Sequence, residues 1–316
     1  MKVSLVATVL DASDRVSAFL ESVSWQTRSP DEVVVVDGGS SDGTLERLRS
    51  SETLTLIEEP GANIARGRNV AISAATHEVI AVTDADCVLE RDWLERLLEP
   101  LESGADVAMG FYRPLADSFL QRAMTCVNLP EPEELDEATF MPSGRSLAFT
   151  REAIDGAGRY PEWLDIGEDM YVNHRFRELG LEMRLAPDAV VNWPLRRTLG
   201  ETWRQYFRYA RGDAIAGMYP ERHALRFGAY SAALYAFSTN GRLRKLAALA
   251  AIGANAARPI RRATTRFEDP AERARAIVSV PALMAIVDVA KMSGYLAGLR
   301  HRAAATERRS APDVSA

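Results

Sequence analysis

Two aspartates, Asp84 and Asp86, close the apolar run VIAV with a single alanine between them. Carboxylates so spaced at a strand end can hold a hard divalent cation, which takes oxygen ligands and keeps waters and phosphates in its shell. An acidic turn would carry the same residues. Asp37 ends a second apolar run, EVVVV, and opens DGGSSDG. That loop is flexible enough for backbone to approach a ligand, or simply to turn a strand into a helix. It lacks the Gly-Lys-Ser/Thr ending of a phosphate-binding Walker loop and does not match Gly-x-Gly-x-x-Gly. Glu168 and Asp169 open an expected helix after Gly167. Carboxylates there complement the helix dipole, or one of them can act as a general base toward an acceptor hydroxyl. In WRQYFRYARG, Arg204, Arg208 and Arg211 fall at i, i+4, i+7. They make one basic face, suited to phosphate or to plain solvation.

The elements that must position these residues alternate along the first 115 residues. KVSLVATV reads as a strand, followed by a helix with Val16, Phe19, Leu20 and Val23 on one face and Ser13 as its expected N-cap. EVVVV is continuous and β-branched, as a parallel strand buried on both faces should be. LTLIEE, a helix through 66–75, VIAVTDAD, a helix near 91–101 and DVAMGFY continue the order. Such alternation predicts a doubly wound, mainly parallel α/β sheet with ligands at the carboxyl ends of its strands. From about 117 the pattern loosens through the acidic, proline-broken PEPEEL. RSLAFT then reads as a strand, GEDMYVNHRFRELG as a helix ended by Gly180, and LEMRLAP and AVVNW as two strands. After about 200 the chain is helical and rich in Ala and Arg, and 302–316 has the composition of a disordered tail.

Composition sets the classes that remain. A 316-residue chain with 47% hydrophobic and 26% charged residues is globular in type. Two cysteines and four scattered histidines offer no disulfide framework and no zinc spacing. The opening MKVSLVATVLD is too short in its apolar run for a secretory signal and reads as the first strand. The net charge of −6 divides unevenly: residues 1–195 hold 17 basic and 35 acidic residues, whereas 196–316 hold 21 and 9, a surplus of twelve positive charges. A basic half on an acidic protein points to a polyanionic surface.

Taken in order, VATVLDASDRV, SVSWQTRSPDEVVVVDGGSSDGT, ARGRNVAISAA, VIAVTDADC, GRSLAF, GEDMYVNHRFRELG and RQYFRYARG resemble family 2 glycosyltransferases of the GT-A fold, over about residues 1–212. The resemblance implies an inverting enzyme that uses a nucleotide-diphosphate sugar and a divalent cation, Mg²⁺ or Mn²⁺. It implies that Thr8 and Asp37 line the nucleoside pocket and that Arg68 reaches the base or the phosphates. Asp84 and Asp86 become the metal motif, with Asp86 the direct ligand. Asp169 becomes the catalytic base, with Glu168 beside it assisting acceptor placement, and Gln205 and Arg208 fall on the family's Gln-x-x-Arg-aromatic element at the diphosphate. Gly38 stands where members often carry a second Asp, Leu10 where many carry an aromatic, and Asp11 where Asn is frequent. None of these departures touches the metal or base positions.

The resulting expectation is a catalytic domain over 1–215 and a helical, basic extension over 216–316. Residues 276–299 are apolar apart from Asp288 and Lys291, which with Tyr295 mark one polar stripe, and Pro281 interrupts the run. They read as an amphipathic helix lying on anionic lipid, flanked by Arg273, Arg275, Arg300 and Arg302; a helical subdomain or a dimer contact is the alternative. The acceptor expected is a glycan or polyprenyl-lipid-linked sugar at the cytoplasmic face of the membrane, with no nucleic acid involved. Two rival readings share part of the pattern. A sugar nucleotidyltransferase would use the acidic pair but wants an early glycine-rich phosphate loop. A non-catalytic lipid- or nucleic-acid-binding module would need neither Asp169 nor the metal pair.

Overall fold

The computed structural model describes residues 1–51 and 53–302, apart from the Pro132 side chain. The expected tail at 302–316 therefore lies, beyond residue 302, outside the described residues. Two compact units emerge. The first comprises 1–115 and 135–194, and the second 116–134 and 195–316. This differs from a border near 215, because helix α8 (Leu199–Ala216) and helix α5 (Phe119–Asn128) both group with the C-terminal helices.

In the first unit an eight-stranded sheet has the order β3-β2-β1-β4-β7-β6-β8-β5, with β5 at Val88–Leu89 and β8 at Met183–Pro194. Strands β1 (Val3–Val9), β2 (Glu32–Asp37), β3 (Thr55–Glu58) and β4 (Val79–Asp84) run parallel, while β7 (Leu147–Thr150) is antiparallel to both β4 and β6 (Val107–Leu115). The period-two alternation of each strand feeds two faces. Val6, Val34, Val36, Ile80, Val82 and Phe149 pack under α3 (Ile64–Ala74) and α7 (Glu168–Glu178). On the other side Leu5 and Ala81 meet Trp93, Leu94 and Leu97 of α4 (Trp93–Glu102), and Ala7 and Val35 meet Val16 and Phe19 of α1 (Val16–Ser24). Both sets are fully removed from water, and an apolar side chain so buried contributes roughly 1.5–3 kcal/mol.

Three local expectations change. Helix α1 has Arg15 at its N-cap with no side-chain cap, and the Ser13 amide instead donates to Asp42 (3.0 Å). LEMRLAP and AVVNW form a single strand, β8 (Met183–Pro194), whose pairing with β6 slips between Gly110 and Phe111 as residues 187–189 are passed over. Such a bulge keeps one strand continuous where Pro187 cannot donate to the ladder. Two short helices fall in the stretch where periodicity faded: α5, closed by a reciprocal Ser118/Gln121 capping box, and α6 (Arg151–Gly156).

The second unit is helical: α5, α8, α9 (Pro220–Ser238), α10 (Arg242–Arg266) and α11 (Pro270–Leu299). Ala123, Met124 and Cys126 of α5 pack with Ala263, Phe267, Ala276, Val280, Leu283 and Val287. Helix α11 lies against α8 so closely that a Cβ at Gly294 would strike the Phe207 carbonyl, and one at Gly298 the Arg211 carbonyl. The polar stripe of α11 faces protein. Asp288 accepts from Arg226 Nε (2.8 Å) and Tyr230 OH (3.2 Å), Tyr295 stacks on the buried His223 at 3.9 Å, and Lys291 sits 4.9 Å over the Tyr206 ring. A polar stripe inside a helical bundle is stable when its groups find one another. By length and composition alone α11 could also cross a membrane.

Candidate active site

Parallel strands β2, β1 and β4 stand side by side, and their carboxyl ends bring the sequence motifs together. Register pairs Thr8 with both Val36 and Asp84, and Val9 with Asp37. Asp37 is buried. Its Oδ1 accepts from the Gly39 and Ser40 amides (2.9 and 2.8 Å), which fixes the DGGSSDG turn, whereas Oδ2 is buried with no hydrogen-bond partner. A buried acceptor left in that state wants a donor.

Helix α3 carries Arg68 into the sheet edge because Gly67 lets it approach β1, where an added Cβ would lie 2.9 Å from the Thr8 methyl. Arg68 is only 2% exposed. Its Nη2 donates to Asp84 Oδ1 (2.8 Å) and its Nη1 to Glu168 Oε1 (2.7 Å), with the Tyr160 ring 5.2 Å away. The guanidinium thus faces two carboxylates, and the described contacts do not turn it toward a base or a phosphate. Gly144 makes room for it, since a Cβ there would meet the guanidinium at 2.5 Å. The Gly144 amide donates to Asp169 Oδ2 (3.1 Å), and Asp169 Oδ1 accepts from the Met170 amide (2.8 Å). Gly167 at φ 83° starts α7 in a conformation few other residues adopt, placing Glu168 and Asp169 in its first turn.

The electrostatics divide the carboxylates. Burial, and next the charge of Asp169, push Glu168 up to about 7 against the opposing pull of Arg68. Burial, and next the Asp84 charge, also raise Asp86, which lies 3.6 Å from Arg15. Arg145 is a participant that sequence reasoning did not single out, although it lies within GRSLAF. Its guanidinium covers the Trp193 ring at 4.4 Å, its Nη1 donates to Ser143 (2.9 Å), and its Nε is 3.5 Å from Asp84 Oδ2. Spacing along the chain could not have named Trp193 as its platform, 48 positions away.

The donor set suits a divalent cation of the phosphate-bound kind. Asp86 is a half-buried carboxylate beside a second carboxylate, a pairing that a cation relieves. Among the described residues no three His, Cys, Asp or Glu side chains converge into a protein cage. Mg²⁺ and Mn²⁺ take one or two carboxylates and complete their shells with water and phosphate oxygens. In the second unit Gln205 is half-buried and donates to Tyr209 OH (2.8 Å), while Arg208 is exposed on α8.

A mixed sheet with acidic residues gathered at the ends of its parallel strands, and a carboxylate pair opening a facing helix, is the arrangement of the GT-A fold. The sequence profile of Glycosyl transferase family 2 matches residues 4–141. Glycosyltransferase AglE of Haloferax volcanii is 27% identical over 222 residues, 67% of this chain and 72% of that protein. The O-antigen chain rhamnosyltransferase RfbN of Salmonella typhimurium is 24% identical over 222 residues, 66% of this chain and 71% of that protein. Among solved structures, the mannosyltransferase PcManGT from Pyrobaculum calidifontis, in complex with GDP-Man and Mn²⁺, shares the fold with a TM-score of 0.55 at 21% identity, over 96% of this chain and 87% of that one. Over residues 4–141 the chain is similar to glycosyltransferase family 2, and its enzyme class is that of a glycosyltransferase. The nucleotidyltransferase and the non-catalytic binding module give way to that assignment.

Proposed function

We propose that this enzyme moves a sugar, with inversion, from a nucleotide-diphosphate donor to a hydroxyl of a membrane-associated acceptor such as a polyprenyl-linked glycan. The observation that carries the reading is one connected assembly: Asp84 and Glu168 share Arg68, and Asp169 is tied to Gly144, whose missing side chain gives Arg68 its place. The candidate base and Asp84 of the candidate metal pair thereby belong to one hydrogen-bonded frame, as proton transfer at a positioned acceptor requires.

Asp86, with Asp84 behind it, would hold the divalent cation, which when bound offsets the charge of the departing nucleoside diphosphate. Asp37 Oδ2 accepts from the nucleoside, with Thr8 on the adjoining strand. Arg68 holds Asp84 and Glu168 in place, which makes it a positioning residue in preference to a contact for base or phosphate. Asp169 takes the acceptor proton, and Glu168 sets its surroundings. For Gln205 and Arg208 a role at the diphosphate is supported by the family's Gln-x-x-Arg-aromatic element. The acceptor's class and the cytoplasmic face of an anionic membrane as the place of action are supported by the surplus positive charge of 196–316 and by the apolar helices there.

The test separates donor binding from chemistry. Asp86→Ala should abolish turnover and the EDTA-sensitive part of nucleotide-diphosphate binding while the melt stays cooperative. Asp169→Asn should keep donor binding and lower kcat by roughly 10²–10⁴-fold. Diphosphate affinity that EDTA leaves unchanged, or a near-normal kcat in Asp169→Asn, would overturn the corresponding role.

A further inference from the structure

The second unit exposes an apolar surface that the reading of α11 as the lipid-facing element does not explain. Residues 227–241 and 246–257 carry no charge, and they form most of α9 and the first half of α10. Between 228 and 255 the only buried residue is Ala236. Leu234 is 72% exposed, Leu243 82% and Leu246 61%, with Tyr235, Phe237, Leu249 and Ile252 also open to solvent. By contrast, α11 buries eight residues along one face. A helix apolar on all sides needs an apolar surrounding, and the folded chain does not supply one for this hairpin.

We propose that the α9–α10 hairpin is the membrane-inserting element of the protein and that its occupant is the interface of an anionic phospholipid leaflet. This rests on the membrane association proposed above and names the element responsible. Three observations favour lipid over a second copy of the chain. First, Arg242, Arg244 and Lys245 crowd the turn; anionic phosphates would meet all three, whereas a symmetric tip-to-tip contact would oppose like charges. Second, Leu243, Leu246, Leu249 and Ile252 advance by threes, so they sweep about half the circumference of α10. An isologous contact uses one patch, whereas acyl chains conform to a face as broad as this half-circumference. Third, Arg244 covers the Tyr235 ring at 5.5 Å and donates to its hydroxyl (3.3 Å), a pairing of aromatic body and cationic head suited to the headgroup level.

Length and charge set the orientation. Twelve uncharged helical residues span about 18 Å, short of the ~30 Å hydrocarbon core. Three cations at the turn also resist the bilayer centre. The hairpin therefore lies along the interface, with leucines and Phe237 toward the acyl chains and the turn at the phosphates.

The test is co-sedimentation of the full chain with vesicles of phosphatidylcholine alone or mixed with phosphatidylglycerol, in low and high salt. Because the substituted residues are exposed, L234S/L243S/L246S should keep the wild-type melt and nucleotide binding while lowering vesicle affinity at least about tenfold at both salts. R242Q/R244Q/K245Q should lose roughly 100-fold on anionic vesicles in low salt and change little on neutral ones. V278N/V289N on the exposed side of α11 should shift affinity less than about threefold. Wild-type protein that ignores anionic vesicles overturns the membrane reading itself. Wild-type binding that survives in L234S/L243S/L246S, or is lost in V278N/V289N, overturns the hairpin assignment and leaves membrane association standing. A lipid-free dimer that L234S/L243S/L246S converts to monomer shows that the face belongs to a second copy.

Discussion

Arg68 is the residue on which the site's charge balance turns. One fixed cation faces Asp84 and Glu168, with Asp169 and Tyr160 close by. Glu168, raised to about 7, prefers its protonated form in the folded protein more than in the unfolded chain. Its contribution to stability is therefore largest at low pH and declines as pH rises from about 4.5 through 7. Glu168→Gln keeps an acceptor for Arg68 and removes that titration. The melting temperature of Glu168→Gln minus that of wild type should grow between pH 5 and pH 8, by an amount on the order of 1–3 kcal/mol in stability. A difference that stays flat across that window would mean Glu168 is ionised throughout. Asp84, Asp86, Glu168 and Asp169 were legible in the sequence because carboxylates at strand and helix ends are conspicuous. Their partners were not. Arg68 had to be seen beside Glu168, a hundred positions away, before its burial made sense. Arg145 and Trp193 meet only through the fold.

At the scale of elements, legibility followed the strength of the local pattern. EVVVV and VIAV leave no room for a helix, so β2 and β4 stand where expected. Helix α5 carries a capping box at Ser118 and Gln121, but the proline-broken PEPEEL that follows closely gives the stretch the pattern of a loop. The polar stripe of α11 was visible, but spacing cannot say whether a stripe faces water or a polar neighbour. The neighbours prove to be Arg226, Tyr230, His223 and Tyr206. The packing of α11 on α8 depends on Gly294 meeting backbone. Gly294→Ala should therefore lower stability by about 1–3 kcal/mol, the usual cost of overpacking a well-filled contact. The same substitution at Gly253, which has open space around it, should raise stability slightly through helix propensity. Thermal melts of the two variants check both signs.

The whole molecule is drawn differently from the sequence's division at 215. Helix α11 is part of the packed core of the second unit, with Ala276, Val280, Leu283 and Val287 against α5 and α10. Removing residues 270–316 should therefore expose the apolar faces of α5 and α8 and abolish cooperative melting of that unit, read by calorimetry or hydrogen exchange. A truncated protein that retains every transition of the full chain would show that α11 is dispensable.

That second unit is also discontinuous, with 60 residues of the first unit, 135–194, threaded between its two segments. During synthesis α5 is complete at residue 128, yet the partners that bury its Ala123, Met124 and Cys126 lie on α10 and α11, and α11 ends only at residue 299. At about 5–20 residues per second, some 170 residues of further translation leave α5 without its core for roughly 10–30 s. The sheet can assemble during that interval, since its last strand ends at Pro194. On the ribosome, then, the catalytic sheet has the time to fold first, and the helical unit closes only after the end of α11 has cleared the exit tunnel.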